Sequence, residues 1–383
     1  MHKTMAEFIK NYYESTLQTL RELCAISAPS HHEAARAEYC YQWLQKIGAK
    51  GAYIDEAQNV VFPFCCEGKN NIMVFAAHTD TVFPETEPLP FSEDEEVMRC
   101  PGVGDDTANV AVLLTMVRYF LENKITPSTG ILFVCNSCEE GLGNLKGVRQ
   151  LFNDYEGRIG GFVTFDGYLS SIKNECVGSH RYEVTVRTEG GHSYSKFGNS
   201  NAIIELSKIV TAINEIQVPA LTGSRTTYNI GTINGGTSVN TIAQNASMLC
   251  EYRSTHRECL QYMKEQFEAV FEAARSEKVS VEVVQVGDRP CGNIEPAKQE
   301  AFLNRVFPAL KSIIGDHLSC RSSSTDCNIP LSLGIPALCI GAVSGDGAHT
   351  REEWIEKSSL LKGLEVAITT GLLLTTEEEH NYV

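Results

Sequence analysis

Apolar residues recur at helical spacing from Phe8 to Leu23, and after a break at Ala28-Pro29 the run Ser30-His31-His32-Glu33 carries a capping-box pattern. Two opening helices are predicted, the second ending near Gly48. Short β-rich runs follow at 52–54 and 60–64, closed by the turn Gly68-Lys69-Asn70-Asn71. Strand and helix then alternate. Ile72 to Ala77 is continuously apolar, Val110 to Leu121 has apolar residues at i, i+3, i+4 and i+7, and Ile131 to Val134 is β-rich. A helix around Leu145 to Phe152 and a third apolar run, Phe162 to Phe165, complete the series. Strand-helix-strand-helix-strand predicts an α/β fold with a mostly parallel sheet covered by helices on both faces.

The pattern changes after Gly178. Arg181 to Thr188 alternates polar and apolar, as a strand with one wet face should, and Ala202 to Ile216 reads as a helix. Strands at Thr226–Ile233 and Ser247–Arg253, a helix at Glu258–Ala274 and a strand at Val279–Val286 complete the order βαββαβ of a ferredoxin-like module. From about Pro290 the α/β pattern returns, with a helix opened by Pro296, a fully apolar strand Ala337–Ile340 and a closing helix Ser358–Leu374. This predicts a discontinuous first domain, 1–178 with 289–383, whose sheet gains a strand from the end of the chain, and an inserted domain, 179–288. A short acidic tail, Glu377-Glu378-Glu379, follows.

Composition narrows the classes of function. With 383 residues, both domains are large enough to bury a core. The formal net charge of −16 argues against nucleic acid and anionic lipid surfaces as partners. The N-terminus lacks the marks of a signal peptide, and the longest uncharged stretch, Cys327 to Gly345, is broken by Pro330 and Pro336, so no membrane span is expected. Fourteen scattered cysteines read as reduced thiols and a cytoplasmic location.

Each predicted sheet strand of the first domain runs into metal-capable residues. His78-Thr79-Asp80 follows the first, Glu139-Glu140 the second, Asp166 the third and, across a glycine-rich loop, His349 the last; Asp105-Asp106 opens the Val110 helix. Ligands of open α/β sheets bind beyond the carboxyl ends of the strands, where these residues fall. Imidazoles and carboxylates without thiolates suit one or two divalent cations, zinc first. Each residue also has an ordinary reading. His78 could be a hydrogen-bonded strand-end histidine, Glu139-Glu140 a solvated pair, Asp105-Asp106 a helix cap, and His349 a surface-loop histidine. Their joint arrival at one end of one sheet favours a metal centre, in which Asp80 either orients the His78 ring or ligates directly. The residues alone leave open which of Glu139 and Glu140 is base and which ligand, and whether Asp105 or Asp106 is shared.

The series AAHTDTVFP, PGVGDDTANVAVLL, NSCEEGLG, TFDGY, GGHS, GGTSVNTIA, EYRS and HTREEW runs through nearly the whole chain in order. It resembles the dizinc exopeptidases and deacylases that include carboxypeptidase G, peptidase T, aminoacylase and succinyl-diaminopimelate desuccinylase. The resemblance implies two zinc ions, with cobalt or manganese as substitutes. It makes His78 and Asp166 ligands of one ion, Glu140 and His349 ligands of the other, and Asp105 the bridge. Glu139 becomes the general base, and Asp80 orients His78. It also implies that His192, Asn240 and Arg253 of the inserted domain line the substrate site, with His192 acting across a homodimer formed through that lid. Read from the residues alone, His192 is a loop histidine and Arg253 either a surface charge or a fork for a substrate carboxylate. The loop Ser344-Gly345-Asp346-Gly347 could add backbone donors there. Thr107 and Asn109 stand where the family commonly has lysine and glycine, Ala243 where proline is common after SVNT, and none of these removes a metal-binding group.

The expected function is metal-dependent amide hydrolysis. Asp166 in TFDGY looks most like peptidase T and leans towards an exopeptidase of short unblocked peptides, aminopeptidase- or tripeptidase-like. An N-acyl amino acid deacylase, deacetylase or desuccinylase, is the alternative. Two rival classes remain. Thiol redox chemistry at Cys135-Asn136-Ser137-Cys138 is disfavoured because Cys135 should close a strand, whereas a reactive first cysteine belongs at a helix N-terminus. An inactive binding relative would lack a ligand or the base, and none is missing.

Overall fold

The computed structural model describes residues 4–376, so the acidic tail lies outside the described residues. The chain divides into two compact units, one made of the segments up to Glu175 and from Asn293 onward, the other of Cys176–Gly292.

The first unit is built on an eight-stranded sheet. Its centre is four parallel strands in the spatial order Gly130–Asn136, Ile72–His78, Ile159–Phe165 and Ala337–Ile340, so the last strand does come from the end of the chain. The first two of these are buried at every position, as expected where both faces are covered. On one face Phe75, Phe133, Val163 and Phe165 join a core with Leu17 and Leu20 of the helix Met5–Cys24, Val110 and Leu114 of Ala108–Glu122, and Leu364 and Ile368 of Ser359–Thr375. On the other face Phe152 of the helix Lys146–Asp154 meets Phe162, with ring centroids 6.1 Å apart.

The structure differs from the sequence reading at four points. Ser30 does not cap the second helix, Ala34–Lys46, which starts after Glu33 without a side-chain cap; its hydroxyl is bonded to Asp80 instead. The capping box lies at the first helix, where Thr4 Oγ1 accepts from the Glu7 amide and the Glu7 carboxylate accepts from the Thr4 amide. The sheet is wider than the apolar runs predict, because the strands Ser171–Cys176 and Ser319–Ser323 at its margin are short and partly exposed. A further helix, Phe307–Ile314, and a small four-stranded sheet of Ser92–Glu93, Val97–Arg99, Gly345–Asp346 and Trp354–Glu356 were also not anticipated.

The second unit is a four-stranded antiparallel sheet in the order Thr226–Gly235, Asn245–Ser254, Gly178–Arg187, Ser280–Arg289. Its helices, Ala202–Asn214 and Arg257–Ala273, cover one face, where Val184, Val186, Met248, Tyr252, Leu206 and Phe267 form a separate core. Among the described residues no helix is long and apolar enough to cross a membrane.

Candidate metal centre

The register of the central strands brings the polar residues together. His78 lies beside Asn136 in the parallel pairing, and Ile340 beside Phe165. The strand ends are therefore level, and Asp166, whose amide donates to Ile340 O at 3.1 Å, emerges next to the end of the His78 strand, which separates it from the chain turn after Asn136. That turn reverses tightly. Cys138 has φ 57° and Gly141 φ 49°, and a Cβ on Gly143 would lie 2.6 Å from the Cys138 carbonyl oxygen.

Asp105 stands between the two histidines. Its Oδ1 is 3.1 Å from His78 Nε2, and its Oδ2 is 3.1 Å from His349 Nε2, which is in turn 3.2 Å from Glu140 Oε1. Asp106, joined to Asp105 by a cis peptide bond, is occupied otherwise. Its Oδ2 accepts from the His78 amide at 2.9 Å and its Oδ1 from Asn109 Nδ2 at 2.6 Å. Asp80 accepts at three places: Oδ1 from the Glu139 amide, Oδ2 from the Glu140 amide, both at 2.9 Å, and Oδ2 again from Ser30 Oγ at 2.6 Å. His78 Nδ1 lies 3.1 Å from the Asp80 carbonyl oxygen and 3.4 Å from its Oδ1. The His78 ring is thus fixed from both nitrogens.

Three groups of side chains each bring one ligand atom per residue within 4.8 Å of one another: His78 with Asp105, Asp106 and Asp166; Asp105 with Glu140 and His349; and His78 with Glu139 and Glu140. The first two share Asp105, the pattern of a dinuclear site with one bridging carboxylate. The charges fit cations. Burial pushes the Glu140 carboxyl up, and the neighbouring Asp105 charge adds to it. Burial also opposes ionisation of Asp105, yet hydrogen bonds from His349 and His78 hold it well below the usual carboxylate range. His349 is pushed up to about 11 by Asp105 and Glu140. Glu140 Oε1 is buried without a hydrogen bond although it faces His349 Nε2. Carboxylate and imidazole lone pairs converging at such distances suit divalent cations, which the donor set, nitrogen and oxygen only, would hold as zinc or a similar ion.

The family model described as Peptidase family M20/M25/M40 matches residues 74–370. The chain belongs to this family. It is a metallohydrolase of the M20 type, and the candidate ligands lie inside the matched segment. A succinyl-diaminopimelate desuccinylase of Corynebacterium glutamicum is 24% identical over 341 residues, covering 87% of this chain and 89% of that one. Two solved structures share the fold. A tripeptidase of Staphylococcus aureus has a TM-score of 0.73 at 21% identity, covering 94% and 99% of the two chains. An aminopeptidase PepT of Bacillus cereus has 0.70 at 20%, covering 94% and 97%.

Within this M20 chain, Asn109 joins three segments. Its Nδ2 reaches Gly104 O, Asp106 Oδ1 and Gly167 O, and its Oδ1 accepts from the Ala342 amide. Two buried carboxylates and one half-buried lysine near the centre escaped the sequence reading. Glu353 accepts from the amides of Gly102, Gly104 and Asp105; burial and the Asp105 charge push its carboxyl up to about 7. Asp326 accepts from Asn136 Nδ2 at 2.7 Å and is pushed by burial to about 7. Lys173 donates to the Asp166 carbonyl oxygen at 2.7 Å. The sequence held a signal for the first only, since Glu353 stands in HTREEW.

The residues expected on the inserted segment behave differently. His192 and Asn240 are exposed neighbours, His192 pairing with Thr241, and the Ser193 amide donates to Asn240 O at 3.0 Å. His192 Nδ1 is engaged by its own turn, 3.3 Å from the Tyr194 amide. The Nε–Nη2 edge of Arg253 is taken by Glu251 at 2.7 and 3.1 Å, so the fork offered to a substrate carboxylate is already half occupied. Of the loop Ser344–Gly347, expected to offer backbone donors, two amides are bonded within the unit. Ser344 N is bonded to Ser359 Oγ, Gly347 N to Asp346 Oδ1, and Gly345–Asp346 pairs with Trp354–Glu356. The redox reading of Cys135 and Cys138 also fails on its chemistry. A hydrogen bond with Cys40 and burial hold the Cys135 thiol well above its usual range, and burial with the Glu33 charge pushes Cys138 up to about 12.

Proposed function

We propose that this M20 hydrolase is an exopeptidase of short, unblocked peptides, in which His78 and Asp166 hold one divalent cation, Glu140 and His349 the other, and Asp105 bridges the two. The single observation that carries the reading is the pair of donor groups sharing Asp105, with Glu139 one residue from the ligand Glu140. Zinc is the proposed metal. Bound cations supply Lewis-acid polarisation of the scissile carbonyl and a lower pKa for the attacking water.

The chain's own residues do the rest. Glu139 takes the proton of the attacking water and passes it to the leaving amine. Asp80 keeps the Glu139-Glu140 turn and the His78 ring in mutual register through its two carboxylate oxygens. Arg253 offers the edge not taken by Glu251 to the peptide's carboxyl end, Asn240 contributes a polar contact, and His192 donates to the developing oxyanion. In this reading 179–288 is a lid through which two copies pair, His192 serving the other copy. The exposed apolar residues Tyr194, Phe197, Ile204, Ile233 and Val239 of this segment support a homodimer, as does the free edge of Thr226–Gly235. Fourteen cysteines without a disulfide support a cytoplasmic setting.

The likeness to a tripeptidase and an aminopeptidase favours peptides; the likeness to a desuccinylase favours N-acyl amino acids as the second reading. A screen of zinc-loaded protein against di- and tripeptides beside N-acetyl and N-succinyl amino acids separates them. N-acetylation of a good peptide substrate should lower kcat/KM about tenfold or more, as expected for one lost charged contact. If the acyl amino acids are hydrolysed faster, the exopeptidase reading is wrong and the deacylase takes its place.

A further inference from the structure

The connection between the first two helices, residues 26–33, reaches the turn that carries the proposed base. Thr81 N donates to Ala28 O at 2.9 Å, and Pro29 and Thr81 form an isolated parallel bridge, so this connection lies along the chain leaving His78. Arg36 secures it, Nη1 donating to Thr79 O at 2.8 Å and Nε to Ile26 O at 3.0 Å. Ser30 Oγ donates to Asp80 Oδ2 and lies 3.2 Å from Glu140 O.

Glu33 is the buried carboxylate of this connection, at 2% exposure. One of its oxygens, Oε1, accepts three donors: the His31 amide at 3.0 Å, the Cys138 amide at 3.0 Å and the Cys138 thiol at 3.2 Å. Cys138 has a left-handed backbone, which a residue with a side chain leaves readily unless its surroundings hold it. Its carbonyl oxygen accepts from the Leu145 amide at 3.0 Å, so both of its backbone groups are held. The amides of Cys138, Glu139 and Glu140 therefore all end on buried carboxylates, the first on Glu33 and the next two on Asp80. With three consecutive amides fixed, the Cα–Cβ direction of Glu139 is set by the backbone, from which its side chain reaches. Without Glu33, the amide preceding it would be buried and unpaired and would reorganise.

We propose that Glu33 is a positioning residue for the reaction, acting through the Cys138 amide to aim the Glu139 carboxylate; this rests on Glu139 being the base. A displacement of about 1 Å at a reacting group costs roughly a hundredfold in rate. That is the scale expected here.

The test compares Glu33→Ala and Glu33→Gln in the full-length, metal-loaded protein, alone and combined with Glu139→Gln. Glu33→Ala should lower kcat about 30- to 100-fold with KM changed less than about threefold, and should keep the wild-type metal content. Glu33→Gln, whose amide oxygen can accept all three donors, should recover kcat to within about fivefold of wild type. In the Glu139→Gln background, Glu33→Ala should cost less than about threefold more, because the group it aims is already gone. Equal losses in both backgrounds, loss of metal, or a Glu33→Gln protein as impaired as Glu33→Ala would overturn the proposal. Should Glu33→Ala not fold, Glu33→Met carries the same comparison; failure of both to fold would make Glu33 a folding residue and end the proposal. Near-normal turnover of Glu139→Gln alone removes the base assignment itself, whereas additive losses remove only the part given to Glu33.

Discussion

Most of the proposed site residues of the first unit are buried, His349 being the exposed one, and those of the second lie at the surface. In the first, His78, Asp80, Glu139, Glu140 and Asp166 are buried, and the backbone around them is tied by Asp80, Asp106, Asn109 and Glu353. In the second, His192 and Asn240 are exposed and held by bonds within their own turn, and Arg253 is already paired with Glu251. A buried centre with its amides satisfied is ordered before any substrate arrives, which is what positioned acid–base chemistry needs. An exposed histidine and a half-occupied guanidinium keep atoms free for a ligand, so in the proposed reading they serve selection and transition-state contact more than assembly.

The sharpest break in this contrast is expected at Asp105. Asp105→Ala should abolish binding of both ions and bring activity to background, whereas His349→Ala should remove about one ion and leave the other, as metal analysis of dialysed protein can show. Glu139→Gln comes next: roughly two to four orders of magnitude lost in turnover with both ions retained. Near-normal activity there would mean that Glu139 is not the base. If the second unit acts across a two-fold interface, mixing inactive His192→Ala with inactive Glu139→Gln protein should restore up to roughly a quarter of wild-type activity, since half of the randomly paired dimers carry one intact site. Demonstrated subunit exchange without recovery would confine His192 to its own chain. The smallest effect is expected at Arg253→Ala, about tenfold in kcat/KM, or ~1.4 kcal/mol, with metal content unchanged. A loss of metal there would overturn the substrate-binding role given to Arg253.

Much of the first unit was legible because its strands are buried on both faces and stop abruptly at polar residues, so apolar run and candidate ligand share a boundary in the sequence. What was not legible depended on direction. Asp105 and Asp106 are adjacent and chemically alike, and only the backbone between them sends one carboxylate to the two imidazoles and the other to the His78 amide. Ser30 satisfies the rule for a helix cap, yet a hydroxyl serves as well by donating to a carboxylate fifty residues on, and Asp80 wins it. Glu33 lies 105 residues from its acceptor pairing at Cys138, outside the segment that the family model matches, so neither spacing nor motif could reveal it. The margin strand Ser319–Ser323 has almost no apolar residue and escaped for that reason.

The placement of Ala337–Ile340 against Ile159–Phe165 has a consequence for biosynthesis. The ribosome finishes Phe165 long before it reaches Ala337, and the whole of Cys176–Gly292 is made in between. At roughly 5–20 residues per second, the outer edge of the Ile159–Phe165 strand stays bare for on the order of ten to thirty seconds. During that interval the nascent chain presents an unpaired parallel edge with two phenylalanines, an isoleucine and a valine, an open template for aggregation. His349 emerges later still, so the full set of donors exists only when synthesis is nearly over. On the proposed ligand set, completion of the pair of metal ions is therefore a late event, and the inserted unit has time to fold while the larger one waits for its last strand.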